Sequence, residues 1–217
     1  MQTKCNLHVK GRKFMLRVFR YGLWALLAAL CIAIAGALYD RESSTNILDA
    51  PAQSSPIGAP FRLIDHNGAP ITEQAMEGQP AAVFFGFTHC PEICPTTLHD
   101  LANWLGRLGD DGRNLKVFFV SVDPLRDTPQ IMKEYVGKFS NRITGITGDP
   151  GEIAKLTKAW HVYTKLVPLE DGEYTMDHTA SIFLVSKDGS LQGTIGYQDE
   201  PDVALKKLRI LVSSQSS

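Results

Sequence analysis

Residues 81–98 read AAVFFGFTHCPEICPTTL, and this stretch decides the fold. Residues 81–87 form a short unbroken apolar run, the pattern of a strand buried on both faces of a sheet. Residues 95–108 carry Leu98, Leu101, Leu105 and Leu108 at helical spacing, behind Pro95 in a good first-turn position. Between them lies a short loop with Cys90 and Cys94. A loop at the carboxyl end of a strand is where α/β sheets place ligands.

Working outward, the same grammar repeats. Residues 116–122 (KVFFVSV) are a second buried strand ending at Asp123-Pro124, Thr128-Pro129 caps a helix to about residue 139, and Asp149-Pro150 caps another to about residue 160. Residues 163–167 and 174–176, around Asp171-Gly172, predict a hairpin. Residues 181–185 and 191–196, around Lys187-Asp188-Gly189, predict a last strand pair, and Pro201 opens a final helix. Upstream, residues 61–65 and 69–72 flank His66-Asn67-Gly68, where Asn-Gly is a strong turn signal. Two buried strands each followed by a helix, then an antiparallel pair and a helix, predict an α/β chain: a thioredoxin-like fold with extra N-terminal and internal β-hairpins, over residues 57–217.

The N-terminal part is different in kind. Residues 21–39 (YGLWALLAALCIAIAGALY) hold no charge over 19 positions, and as a helix they span roughly 28 Å, close to a bilayer's hydrocarbon core. Lys4, Lys10, Arg12, Lys13, Arg17 and Arg20 precede the run and Asp40 follows it, so the positive-inside rule predicts a single-pass anchor in the inner (cytoplasmic) membrane. Its basic tail, residues 1–20, then stays in the cytoplasm, and the globular domain is in the periplasm. The run exceeds the usual signal-peptide core of about 7–15 residues, so a retained anchor is expected, although residues 33–35 and 35–37 offer A-x-A cleavage matches. Leu30 before Cys31 speaks against a lipoprotein site. Residues 40–56, rich in Ser, Ala and Pro, read as a flexible linker.

Composition sets the outer bounds. The chain has 217 residues, 44% apolar and 21% charged, which is one domain's worth with a sizeable core. Its net charge of −1 hides an asymmetry: with six basic residues in the tail, the rest holds 16 basic against 23 acidic residues, a net of −7. Nucleic acid is a poor partner for that body.

Of four cysteines, Cys5 falls in the tail and Cys31 in the apolar run, leaving Cys90 and Cys94 for the exported body. Pro95 disfavours a helical backbone at Cys94, which places Cys94 at the start of the helix with Cys90 looping back over it; the positive helix end then favours thiolate at both sulfurs. Three readings compete. A structural disulfide suits an oxidising compartment, but so short a loop closes little entropy. A redox dithiol has C-x-x-C as its reference spacing, whereas three residues separate this pair, and no Pro stands at Asp177-His178-Thr179 where thioredoxin-like reductases need one. Two thiolates and an imidazole would suit Cu(I), whereas zinc wants a fourth ligand that the sequence does not offer.

Five of the six histidines are poor ligands for such a site. His8 lies in the tail, His66 in a hairpin turn, His99 on the polar side of its helix, His161 at a helix end beside Trp160, and His89 on a strand end that points it away from Cys90. His178 differs, because it shortly precedes the strand-like SIFLV, which would return beside the first strand and bring its loop to face the cysteines. Spacing alone leaves it between structural and ligating roles.

Taken together, GFTHCPEICPTTL (86–98), SVDPLRDTP (121–129), GITGDP (145–150) and YTMDHTASIFLVSKDG (174–189) resemble the Sco/SenC family of membrane-anchored copper proteins, in the family's motif order and from about Ile57 onward. The resemblance implies that Cys90, Cys94 and His178 bind copper. It implies a copper chaperone delivering copper to the binuclear copper site of cytochrome c oxidase, with the copper-accepting subunit of that oxidase as partner and other copper chaperones or a thioredoxin-like reductant as further ones. The alternatives are a thiol:disulfide reductase keeping the oxidase cysteines reduced, with Cys90 and Cys94 as its redox-active pair, or a copper or redox sensor. The family commonly has Asp at the place of Glu92, a departure that bears on partner or redox tuning. Asp123 and Asp127 match acidic family positions; a structural role at a strand end and near a helix cap is expected, with support of the metal ligands as the alternative.

The anchor reading is testable on its own. The mature protein should retain residues 21–39 and resist extraction from membranes by salt or alkali; a mature N-terminus found just after Ala35 or Ala37 would refute it.

Overall fold

The computed structural model describes residues 60–170 and 172–213, together with Leu30. The predicted tail and linker, and the predicted anchor apart from Leu30, with Cys5, His8 and Cys31, lie outside the described residues. No helix among the described residues is long and apolar enough to cross a membrane.

The elements of the body are β1 (Leu63–Asp65), β2 (Pro70–Ile71), a 3-10 turn (Glu73–Met76), β3 (Ala81–Gly86), α1 (Ile93–Leu108), β4 (Lys116–Ser121), α2 (Pro129–Gly137) and β5 (Ile143–Thr147). There follow α3 (Pro150–Ala159), β6 (Thr164–Pro168), β7 (Tyr174–His178), β8 (Ser181–Val185), β9 (Leu191–Gly196) and α4 (Pro201–Ser213). A seven-stranded sheet runs β2-β1-β5-β4-β3-β8-β9, and β6-β7 form a separate two-stranded sheet. β3 and β4 are parallel, with Val83 opposite Phe118, while β8 returns antiparallel beside β3, with Phe84 opposite Ile182. This is the predicted α/β, thioredoxin-like core with both extra hairpins, the first being β1-β2 and the internal one β6-β7.

All six residues of β3 are buried, as the unbroken apolar run requires of a strand covered on both faces. Phe84 stacks on Phe119 from β4, while Phe85 meets Trp160 and Phe183, so the neighbouring rings feed different parts of the core. Helix α1 buries Leu98, Leu101, Leu105 and Leu108, the spacing read from sequence. Thr128 caps α2 through Ile131 N–H, and Asp149 caps α3 through the N–H groups of Gly151 and Glu152.

Two expectations need correction. The sequence pattern shows no strand at residues 143–147, yet β5 pairs parallel with β4 and antiparallel with β1, joining the N-terminal hairpin to the main sheet. Its ITGIT run is short and interrupted by Gly145, which stands tight against Met132 of α2. Helix α1 also starts at Ile93, two residues before Pro95. A proline in the first turn lacks an N–H that would have had no helical partner there, so the helix takes in Cys94.

Gly86 fixes how closely helix and strand approach. A Cβ there would lie 2.6 Å from Cys94 Sγ and 2.7 Å from Phe119 Cε2, both buried. The bare backbone at Gly86 is what admits the Cys94 sulfur. Gly86→Ala should therefore lower stability by about 1–3 kcal/mol through overpacking. Denaturant unfolding checks this, and an unchanged midpoint would contradict it.

Candidate metal centre

Beyond β3 the chain passes through buried Phe87 to Thr88, whose N–H and hydroxyl both donate to the Asp127 carboxylate; the hydroxyl lies 2.6 Å from Oδ1. Cys90 N–H then donates to the Phe87 carbonyl at 3.3 Å, turning the chain back. The Cys94 N–H, in the first turn of α1, donates to Cys90 Sγ at 3.4 Å. Glu92, at the capping position, makes no side-chain cap, so the Cys90 sulfur serves one of the amides that a helix start leaves without a partner. Both cysteines are free; Cys90 is part-buried and Cys94 fully buried.

His178, the last residue of β7, completes the set. Its Nε2 stands 3.5 Å from Cys94 Sγ, and its Nδ1 stands 3.1 Å from the Thr179 carbonyl. A carbonyl can only accept, so Nδ1 donates to it and Nε2 is the ring nitrogen turned to the sulfurs. The rings of Phe84 and Phe87 meet the imidazole edge-on at 6.0 and 5.8 Å. One donor atom from each of Cys90, Cys94 and His178 lies within 4.8 Å of the other two. Cys90 and His178 line a cleft of about 400 Å³ together with Phe87, Pro91, Tyr163 and Met176, and Cys94 lies buried behind it.

The sulfurs are not equivalent, which corrects the expectation of thiolate at both. The hydrogen bond from the Cys94 side chain, helped by His178 and the Cys94 N–H, brings Cys90 from 9.0 down to about 4 against the effect of its partial burial. Cys94 is pushed up, first by that same bond and then by burial. The helix start favours one thiolate, and the half-exposed sulfur takes it.

Two acidic residues anchor the arms of the site. Asp127, fully buried, accepts from Ser121 Oγ as well as Thr88, and burial pushes its carboxyl up despite those bonds. Asp123 pairs with Arg126 and accepts from Tyr174 Oη at 2.9 Å. The Arg126 guanidinium lies 3.7 Å from the Tyr174 ring centroid and donates to the Tyr174 carbonyl at 2.9 Å. Tyr174 begins the strand that His178 ends, so Asp123 and Arg126 hold the histidine's arm while Asp127 holds the cysteines' arm.

The other histidines among the described residues stay apart from this cluster. His66 Nδ1 accepts from Gly145 N–H, His99 and His161 are exposed, and His89 lies 3.1 Å from Thr88 Oγ1 and 3.9 Å from Asp127. Sequence reasoning passed over Gly86, Thr88, Arg126 and Tyr174. A glycine inside an apolar strand was the available signal for the first; the rest act through partners distant in sequence.

A model of the SCO1/SenC family matches residues 49–213. The chain belongs to the SCO1/SenC family. It is 31% identical over 204 residues to the mitochondrial protein SCO2 of Saccharomyces cerevisiae, covering 89% of this chain and 68% of that one. It is 37% identical over 148 residues to the mitochondrial SCO1 homolog 1 of Arabidopsis thaliana, covering 67% of this chain and 44% of that one. Among solved structures, copper-bound ScoI of Bradyrhizobium japonicum is 43% identical, with a TM-score of 0.66 over 71% of this chain and 99% of that one.

The unequal sulfurs give a pH signature. Ultraviolet absorbance of the reduced, metal-free chain should show one thiolate titrating with a midpoint of about 4, lost in Cys90→Ser and kept in Cys94→Ser with a higher midpoint. Because the folded value is depressed, Cys90 ionisation contributes stability that is fully present above the unfolded thiol's 9.0 and is lost as pH falls towards about 4. Two thiolates titrating together near the free-thiol value would refute this.

Proposed function

We propose that this SCO1/SenC protein is a copper chaperone that holds one copper through Cys90, Cys94 and His178 and passes it to the copper-accepting subunit of cytochrome c oxidase during assembly. The observation that carries the reading is the convergence of two sulfurs and one imidazole nitrogen within 4.8 Å. That donor set is soft, offers three positions rather than a closed four, and suits Cu(I) better than zinc. The relative from Bradyrhizobium japonicum, which holds copper in its structure, supports the choice of metal. A part-exposed Cys90 allows an incoming thiolate to replace one ligand at a time without baring the metal. We place the protein in the inner membrane by residues 21–39, with the domain in the periplasm, on the apolar run and the one-sided charge that precedes it.

A second reading, a thiol:disulfide reductase acting on the oxidase cysteines, rests on one observation: Cys90 is accessible and lowered to about 4, with a buried free thiol behind it. That is also an attacking and resolving pair. The imidazole separates the readings, since a dithiol reductase has no use for it as a ligand.

The reduced full chain should bind one Cu(I). Cys90→Ser or Cys94→Ser should abolish tight binding, and His178→Ala should weaken Cu(II) more than Cu(I), because two thiolates satisfy Cu(I) alone. Unchanged copper stoichiometry in the double cysteine variant would refute the site. In cells at low copper, His178→Ala should impair oxidase assembly as severely as loss of either cysteine; normal oxidase activity in that strain would instead favour the reductase.

A further inference from the structure

Alternate residues of a strand share a face, so Tyr174, Met176 and His178 project from the same side of β7. Tyr174 is engaged with Asp123 and Arg126, and His178 stands over the sulfurs. Met176, between them, lines the cleft that holds Cys90 and His178. It also lines the neighbouring groove, of about 190 Å³, formed with Leu125, Ile153, Leu166 and Tyr174. The Met176 side chain therefore stands between the ligand cleft and a surface groove.

Packing alone does not account for this placement. Met76 and Met132 are 4% and 0% exposed, whereas Met176 packs against the core and is only partly buried. Its chemistry fits the neighbours it has. A thioether is a soft, neutral donor that favours Cu(I), and it binds without giving up a proton. The flexible side chain can move between two contacts at little cost in packing.

We propose that Met176 is a transient thioether ligand for Cu(I), taking the position that His178 leaves while the metal passes between the cysteines and an incoming donor. The bond from copper to His178 Nε2 breaks as the bond to Met176 Sδ forms; the metal stays Cu(I), so no electron moves and no oxidant or reductant is consumed. The exchange keeps a third donor on the metal while one thiolate at a time is replaced. The inference rests on the copper reading above and adds a fourth residue to it.

The test uses the full chain in detergent, labelled with selenomethionine and loaded with Cu(I). In His178→Ala the position of the imidazole is open, and copper-edge X-ray absorption should show a selenium neighbour that disappears in His178→Ala/Met176→Leu. In the otherwise unaltered chain, Met176→Leu keeps side-chain volume and should leave copper stoichiometry at one, while slowing Cu(I) capture by a chromogenic chelator by about tenfold. A copper-loaded His178→Ala chain without a selenium neighbour, together with wild-type release from Met176→Leu, would overturn the role of Met176 and leave the copper reading standing. An unaltered chain that takes up no Cu(I) would overturn the copper reading and this inference with it.

Discussion

The buried carboxylate of Asp127 is the constraint on which the cysteine arm depends. Removing a carboxylate from water is costly unless its oxygens are hydrogen-bonded, and here Ser121 and the Thr88 hydroxyl and N–H supply the donors. In exchange, the loop after β3 is tied to the loop after β4 at Thr88, two residues before Cys90. Just upstream of Asp127, Asp123 and Arg126 tie the same β4 loop to Tyr174 and so to the strand ending in His178. One short segment, residues 123–127, thus sets the spacing between Cys94 and His178, which lie 84 positions apart in sequence. The expected structural role of these two aspartates and their support of the site are the same interactions.

Within that frame, close packing and charge divide the cysteines' work. Gly86 lets Cys94 sink against β3, where its hydrogen bond to Cys90, and then its burial, hold the proton on its sulfur. Cys90 stays at the rim of the cleft, receives hydrogen bonds, and carries the negative charge. An electron-rich sulfur at the mouth and a protonated one behind it give the cleft a front and a back before any metal is present. The bond from His178 Nδ1 to Thr179 does the same for the third donor, by choosing which ring nitrogen faces inward.

Much of this was legible in the sequence because its signals are local. The apolar 81–87 run, the leucine spacing of α1 and the turn residues flanking 181–185 each reflect a neighbour-to-neighbour pattern, and they placed the cysteine loop and His178 in register. The strand β5 escaped because five residues with a central glycine carry almost no period. The start of α1 was misplaced because the rule on residues before proline is weaker than the tolerance of a helix's first turn for proline. Arg126 and Tyr174 were invisible for a different reason: their contact is made across 48 positions, and nothing in either neighbourhood announces the other. Burial of Cys94 likewise depends on Gly86 and Phe119 meeting it in space.

The two sheets give the site unequal resistance to opening. Cys94 belongs to α1 and packs on β3, an interior strand of the seven-stranded sheet, so exposing its sulfur requires undoing the core. His178 ends a two-stranded ribbon outside that sheet, held through Tyr174 and a few contacts, and ribbons of two strands are marginal on their own. Local unfolding that frees the ribbon leaves the thiol pair in place. Amide exchange along β7 and along β3 would then report two different free energies within a single cluster of side chains, the smaller belonging to the histidine and the larger to the cysteine behind it.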